Sequence, residues 1–309
     1  MKIFKKIFVL IFLNMFCISN STNASSPDSF KIVLDAGHGA ADLGCAKNRA
    51  SGEDEDTSIR AYPHPSNSSL FVREYRYNKK WVNERSTNLK IAFYLKEELQ
   101  KYKTLEGNEV KVFLTRTTNE ENPALFDRVN LGKQLAANVV ISLHNNASGN
   151  YSRKARGAMV LVTSSKSDAR SEFKTEDSKL YLEEESLANS ILKELEKIGI
   201  SRATTSGETL TKGGTLPITP GQISLENGLL RRFSEDTDKY PNGQLSDFYK
   251  IIRAGVNLGI PAIIVEHAYF DNEVDYKNFL STDKSLKALA KADAKGIANF
   301  YRLQKQQKI

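Results

Sequence analysis

Three short apolar runs in this 309-residue chain each stop at a residue that can hold a metal ion or move a proton: Lys31 to His38, Val139 to His144 and Pro261 to Glu266. Runs of Val, Ile and Leu bounded by Gly, Pro or Asn read as buried strands of a mostly parallel sheet, and ligand sites in open α/β sheets lie just beyond the carboxyl ends of such strands. Two histidines and a carboxylate are therefore expected at one sheet edge. The segments between the runs have helical spacing. Leu89, Ala92, Phe93, the stem of Lys96 and Leu99 outline a helix over residues 84–100, Pro123 opens another that reaches Ala137, and further helices are expected at 180–198 and 285–303. Strands at 110–115 and 157–163 complete the alternation. The expected fold class is α/β, a single domain with a mostly parallel twisted sheet flanked by helices.

The first 24 residues are set apart from this pattern. Lys2, Lys5 and Lys6 precede an apolar stretch from Ile7 to Ile18, and Thr22-Asn-Ala24 offers the small residues of a signal-peptidase site, so an exported protein is expected. The apolar stretch is shorter than the roughly 20 residues that cross a bilayer, so no stable membrane insertion is expected after cleavage. The domain expected to fold is 25–309. Loss of the three lysines with the leader lowers the formal charge from +7 to +4, a mild basicity that suits an anionic envelope polymer as well as an ordinary soluble surface. Nucleic acid is not an expected partner, because no basic stripe interleaved with aromatics occurs. Of the two cysteines, Cys17 leaves with the leader and Cys45 remains alone, so no intramolecular disulfide is expected.

Two polar tracts interrupt the alternation. Residues 46–80 read as a loop or small excursion, with the acidic run Glu53 to Asp56 a solvated segment that lacks the spaced ligands of a calcium loop. Residues 202–246, punctuated by Gly213-Gly214, Pro217, Pro220 and Pro241-Asn-Gly243, read as an insertion that covers the site.

The chain has only four histidines, His38, His64, His144 and His267. His38 lies between Gly37 and Gly39, which lets the backbone bend tightly and leaves the imidazole accessible. His144 closes an apolar strand and is followed by Asn145-Asn146. Zinc sites commonly combine two histidines with one carboxylate and leave a fourth position for water. On spacing alone the carboxylate is open between Glu84 at a helix start and Glu74 or Asp42 in loops; Glu84 is equally explained by the helix dipole. His64, between two prolines, reads as a loop residue. His267 follows Glu266 and by strand alternation points to the opposite face.

Asp35-Ala-Gly-His-Gly39, Glu84-Arg-Ser-Thr-Asn-Leu89, Leu114-Thr-Arg116, Ile141-Ser-Leu-His-Asn-Asn146 and Gly259-Ile-Pro-Ala-Ile-Ile-Val-Glu-His267 together resemble, in order, the zinc-dependent N-acetylmuramoyl-L-alanine amidases of bacterial cell walls, in the branch with an Ile-Val-Glu-His signature. The resemblance implies that His38, Glu84 and His144 bind Zn²⁺ and that Glu266 is the catalytic general base. It implies peptidoglycan as substrate, cut at the amide between N-acetylmuramic acid and the L-alanine of the stem peptide. Ala40 and Arg85 depart from the family's usual glycine and lysine without removing a ligand. Asp35 and Asn146 are candidates for orienting the histidines, and Arg116 and Arg128 read as structural. Lys212 and Arg231-Arg232 are candidates for holding stem-peptide carboxylates. Another envelope zinc hydrolase, a peptidase or polysaccharide deacetylase, would use similar ligands; a silent wall-binding module would not need all four groups.

Overall fold

The computed structural model describes residues 29–40, 42, 45–47, 59–64, 67–77, 80–147, 155–164, 175–204, 221, 223–235, 238–240, 243 and 245–306, with 45–47, 59–64, 67–77, 80–82 and 175–178 described by their backbone alone. The leader, the acidic run Glu53 to Asp56 and Lys212 lie outside the described residues. In chain order the strands are β1 (Phe30–Ala36), β2 (Cys45–Lys47), β3 (Ile59–His64), β4 (Asn67–Tyr77), β5 (Lys80–Val82), β6 (Tyr102–Lys103), β7 (Val110–Leu114), β8 (Val139–Asn146), β9 (Met159–Leu161), β10 (Ile223–Glu226), β11 (Leu229–Arg232), β12 (Ala262–Tyr269) and β13 (Gln304–Lys305). The helices are α1 (Glu84–Leu99), α2 (Leu125–Gln134), α3 (Thr175–Lys197), α4 (Lys250–Leu258), the single turn α5 (Glu273–Asp275), which runs on into a π-helical turn, and α6 (Asp283–Tyr301). Among the described residues no helix is long and apolar enough to cross a membrane.

The central sheet has seven strands in the order β10-β11-β9-β12-β8-β1-β7. Strands β12, β8, β1 and β7 are mutually parallel, β9 runs antiparallel to β12, and β10 is antiparallel to β11. Alternate residues of each strand enter two separate apolar layers. Ile32, Leu34, Ile141, Leu143, Ile263 and Val265 pack with α1, α3 and α6, while Val33, Val140 and Ile264 pack with α4. Because both faces are covered, the three central strands are nearly unbroken apolar runs, which is why they were legible. Each fully buried Leu, Ile or Val contributes about 1.5–3 kcal/mol by leaving water.

Helix α1 begins where Asn83 Oδ1 accepts the Ser86 amide at 2.9 Å, and it buries Leu89, Ile91, Ala92, Leu95 and Leu99. Phe93, expected inward, is 38% exposed, since the buried stripe follows Ile91 and Leu95 instead. The tract 46–80, expected as a loop or small excursion, is such an excursion in its described residues, holding the antiparallel strands β2 to β5, with His64 ending β3 and Glu74 within β4. The tract 202–246, expected as a cover, supplies β10 and β11 to the edge of the main sheet. Its hairpin turns at Asn227-Gly228, both at positive φ (52° and 79°), the dipeptide that a two-residue hairpin with the sheet's own twist demands.

Candidate metal centre and active site

In register, Asp35 lies beside Ser142, and His144 beside Glu266. Neighbours in a parallel pair face the same side of the sheet, so His144 and Glu266 project together from the carboxyl ends of adjacent strands. Past β1 the chain turns sharply, with His38 at φ 61°, Gly39 at φ 152° and Ala40 at φ 45°. Gly37 is required by close approach: a Cβ there would lie 2.2 Å from the His144 ring. The His38 and His144 rings meet edge to face at 4.9 Å.

Glu84, the first residue of α1, comes between them. Its Oε2 lies 3.0 Å from His38 Nε2 and its Oε1 lies 3.0 Å from His144 Nδ1. Donor atoms of His38, Glu84 and His144 all lie within 4.8 Å of one another. Asp42 sits instead on the far nitrogen of His38, at 3.2 Å from Nδ1, where it orients the ring. Thus Glu84 faces both imidazoles and Asp42 backs one of them. Glu84 Oε1 also accepts the Asn145 amide at 3.1 Å and Asn88 Nδ2 at 3.2 Å, and Asn145 Nδ2 donates to Asn88 Oδ1 at 2.7 Å.

Burial works against charge on both His38 and Glu84, yet their mutual attraction prevails. His38 is held above its ordinary range by Glu84 and Asp42, and Glu84 below its range by the two imidazoles. Glu266 behaves differently. Burial lifts it to about 7, with His144 and His38 opposing and Glu84 reinforcing. Among the described residues its Oε2 is buried without a hydrogen-bond partner, which is costly for a carboxylate unless a ligand completes the site.

Asp35 is not a partner of the histidines. Its carboxylate accepts the hydroxyls of Thr115 and Ser142, each at 2.6 Å, and Arg128 Nη1 at 2.7 Å. Burial pushes the Asp35 carboxyl up, but the Arg128 guanidinium and the two hydroxyls hold it below its usual range. Asn146 does not orient the histidines either: its side chain contacts the Met159 sulfur and the Ala147 amide. Alternation alone would leave Asn146 on the face of His144, but β12 shifts its register against β8 between the Glu266–His144 and Tyr269–Asn146 pairs. His267 points away, as expected, its Nδ1 donating to the His144 carbonyl at 3.0 Å and its Nε2 facing Asp293 Oδ2 at 2.8 Å. Arg231 is buried against Glu185 and Tyr181, and Arg232 lies over the Phe248 ring and pairs with Glu235, so these two arginines are already engaged.

The contributions of Asn88, Asn145 and Arg85 were not legible from residue type. Arg85 donates to the Ala40 carbonyl, so the two departures from the usual motif touch each other.

Residues 32–299 match the family model Amidase_3, described as N-acetylmuramoyl-L-alanine amidase. Among solved structures, the chain is similar in fold to the N-acetylmuramyl-L-alanine amidase Ami1 of Mycobacterium smegmatis, at 17% identity and a TM-score of 0.52, over 88% of this chain and 97% of that one. Cwp6 from Clostridium difficile gives 23% identity and a TM-score of 0.52 over 89% of this chain and 30% of that one. The apo form of Ami1 from Mycobacterium abscessus gives 16% identity and a TM-score of 0.51 over 88% and 98%. No curated protein sequence matches the chain.

Proposed function

The chain belongs to the Amidase_3 family of N-acetylmuramoyl-L-alanine amidases, and from that premise we propose that it is a zinc-dependent peptidoglycan hydrolase that cuts the amide between the lactyl group of N-acetylmuramic acid and the L-alanine of the stem peptide. The observation that carries this reading is the convergence of His38, Glu84 and His144, with donor atoms within 4.8 Å of one another, on the strand edge that also bears Glu266. Two imidazoles and one carboxylate are a donor set of catalytic zinc sites, and the missing Cβ of Gly37 makes the room that the His144 ring occupies. The residues therefore fit the ion. His38 and His144 would hold it through ring nitrogens and Glu84 through its carboxylate. Once bound, zinc supplies a Lewis acid that polarises the amide carbonyl and stabilises negative charge on its oxygen.

The remaining chemistry belongs to the chain itself. Glu266 takes a proton from the water that adds to the carbonyl carbon and delivers it to the amide nitrogen as the C–N bond breaks, leaving a lactyl carboxylic acid and a free L-alanine amino group. A carboxyl lifted to about 7 populates both forms near neutrality, which is what a group that first accepts and then donates requires. Asn88 and the Asn145 amide fix Glu84 in place. The basic and apolar leader over residues 1–24 supports export, which takes the enzyme to its wall polymer.

Digestion of purified peptidoglycan with and without a chelator tests the reading. The expected products are intact glycan strands and stem peptides with a new amino-terminal L-alanine, lost on chelation and restored by Zn²⁺. Cleavage within the stem peptide, or release of acetate, would place the chain among other envelope hydrolases.

A further inference from the structure

We propose that Arg116 is a positioning residue that sets the spacing of the cation pocket, by fastening the segment that carries His38 to the segment that carries Glu84. This rests on the zinc reading of the site and deepens it. Arg116 follows β7 and its side chain is almost fully buried, at 1% exposure. Its Nε donates to the Ala36 carbonyl at 2.7 Å, and its Nη2 donates both to the Gly37 carbonyl at 3.0 Å and to the Arg85 carbonyl at 2.7 Å. Gly37 is the residue before one ligand and Arg85 the residue after another. A single planar group thereby spans two ligand-bearing backbones that are 48 residues apart (37 to 85).

Its remaining nitrogen continues the link. Nη1 donates to the Thr118 carbonyl at 2.9 Å and to Asn119 Oδ1 at 3.4 Å. Asn119 in turn accepts the Ala40 amide through its backbone carbonyl at 2.6 Å and donates to Ser86 Oγ at 3.1 Å. Both ligand segments are thus tied twice to the same short stretch.

The electrostatics show that this guanidinium was not placed for charge pairing. Among the described residues no carboxylate lies within 4 Å of it, whereas Arg128 beside it pairs with Asp35 at 2.7 Å. Burial, with Arg128's charge adding to it, pushes Arg116 down to about 10. Burying a cation against neutral carbonyls is expensive, and the geometry gained is the rigid fork that only arginine offers. The segment it holds needs holding: His38 and Ala40 both adopt positive φ, a strained conformation for residues with a Cβ that persists only when its surroundings enforce it.

The test compares Zn²⁺ affinity of the full chain with that of Arg116→Met, by competition with a chromogenic chelator, together with the visible spectrum of the Co²⁺-substituted proteins. Affinity is expected to fall about 10- to 100-fold, the usual effect of removing a group that orients ligands, with an altered Co²⁺ spectrum and an unchanged far-ultraviolet circular dichroism. Leu99→Ala serves as control, since Leu99 is fully buried at the far end of α1 and should lose stability with metal affinity intact; equal loss of affinity there would overturn the positioning role. Unchanged affinity in folded Arg116→Met also overturns it. Should Arg116→Met fail to fold, Asn119→Ala decides: weaker zinc binding supports the link, and unchanged binding refutes it. Failure of the unaltered chain to bind Zn²⁺ would overturn the zinc reading and this inference together, a result distinct from normal binding in every variant.

Discussion

Two groups of buried carboxylates around β12 are shifted in opposite directions. Towards the carboxyl ends of β12 and β1, Glu84 faces two imidazoles and Asp35, on β1, faces Arg128; both are held below the usual carboxylate range. Where β12 begins, Glu184 accepts the amides of Ala262 at 3.0 Å and Thr163 at 2.8 Å, and Asp247 accepts the Thr163 and Tyr240 hydroxyls, each at 2.7 Å. Burial lifts Glu184 to about 8, the two amides opposing and Asp247 reinforcing, and burial lifts Asp247 as well. Burial acts in the same direction on all four. What differs is a cation in direct contact: two imidazoles and Arg128 hold Glu84 and Asp35 low, whereas Glu184 and Asp247, bonded to amides and hydroxyls, are lifted by burial. Glu266 is the exception at the first end, lifted by burial and left, among the described residues, with an unpartnered oxygen, which suits the proton-carrying role proposed for it.

The sharpest way to break this contrast is Glu266→Gln, which keeps shape and burial and removes the proton carrier. Turnover of peptidoglycan, followed by release of new amino termini, should fall about 10²- to 10⁴-fold, while bound metal stays at the wild-type level; near-normal turnover would assign the proton transfer elsewhere. Arg128→Met leaves Asp35 as a buried acid without its cation. Denaturant unfolding should register a loss of about 3–5 kcal/mol, and a neutral outcome would mean that the Thr115 and Ser142 hydroxyls suffice.

At the opposite end the expected signature is a pH slope. Glu184 titrates near 8 in the fold and near 4.5 when unfolded, so the native state binds the extra proton between those values. Stability from this group is therefore full below about 4.5 and is lost as pH rises towards about 8. Unfolding midpoints of Glu184→Gln measured across that window should slope less than those of the parent; parallel curves would show that Glu184 is ionised in both states. The smallest effect on the site is expected from Asn88→Ala, which removes one hydrogen bond to Glu84 along with those to Gly37 and Asn145: about a tenfold loss of Zn²⁺ affinity, at the low end for a group that orients a ligand. Affinity equal to wild type would leave the Asn145 amide as the sufficient anchor.

Legibility in the sequence followed the same division. The central strands and the residues at their ends could be read because a strand covered on both faces must be apolar until it reaches the site, so the first polar residue announces the edge. Asn227-Gly228 carried an equally plain signal for the β10–β11 hairpin, hidden by the polar tract around it, and the strands at 46–80 were masked by their charge. Helix α4, with Ile251, Ile252 and Ala254 buried, follows that tract and is obscured in the same way. The role of Arg116 was beyond reach, since an arginine after a strand looks the same whether it meets carbonyls or solvent.

By itself, then, the order of residues determined the α/β alternation, the three central strands and the two histidines and one carboxylate at their ends, because period and polarity are local properties; Glu84 entered only through the family resemblance. The tertiary structure alone decided that Glu84 faces both imidazoles while Asp42 stands behind one, that Asp35 serves Arg128 and that Arg116 joins two ligand segments. Those are choices among equally plausible partners, and only the distances imposed by packing β1, β8 and α1 together distinguish them.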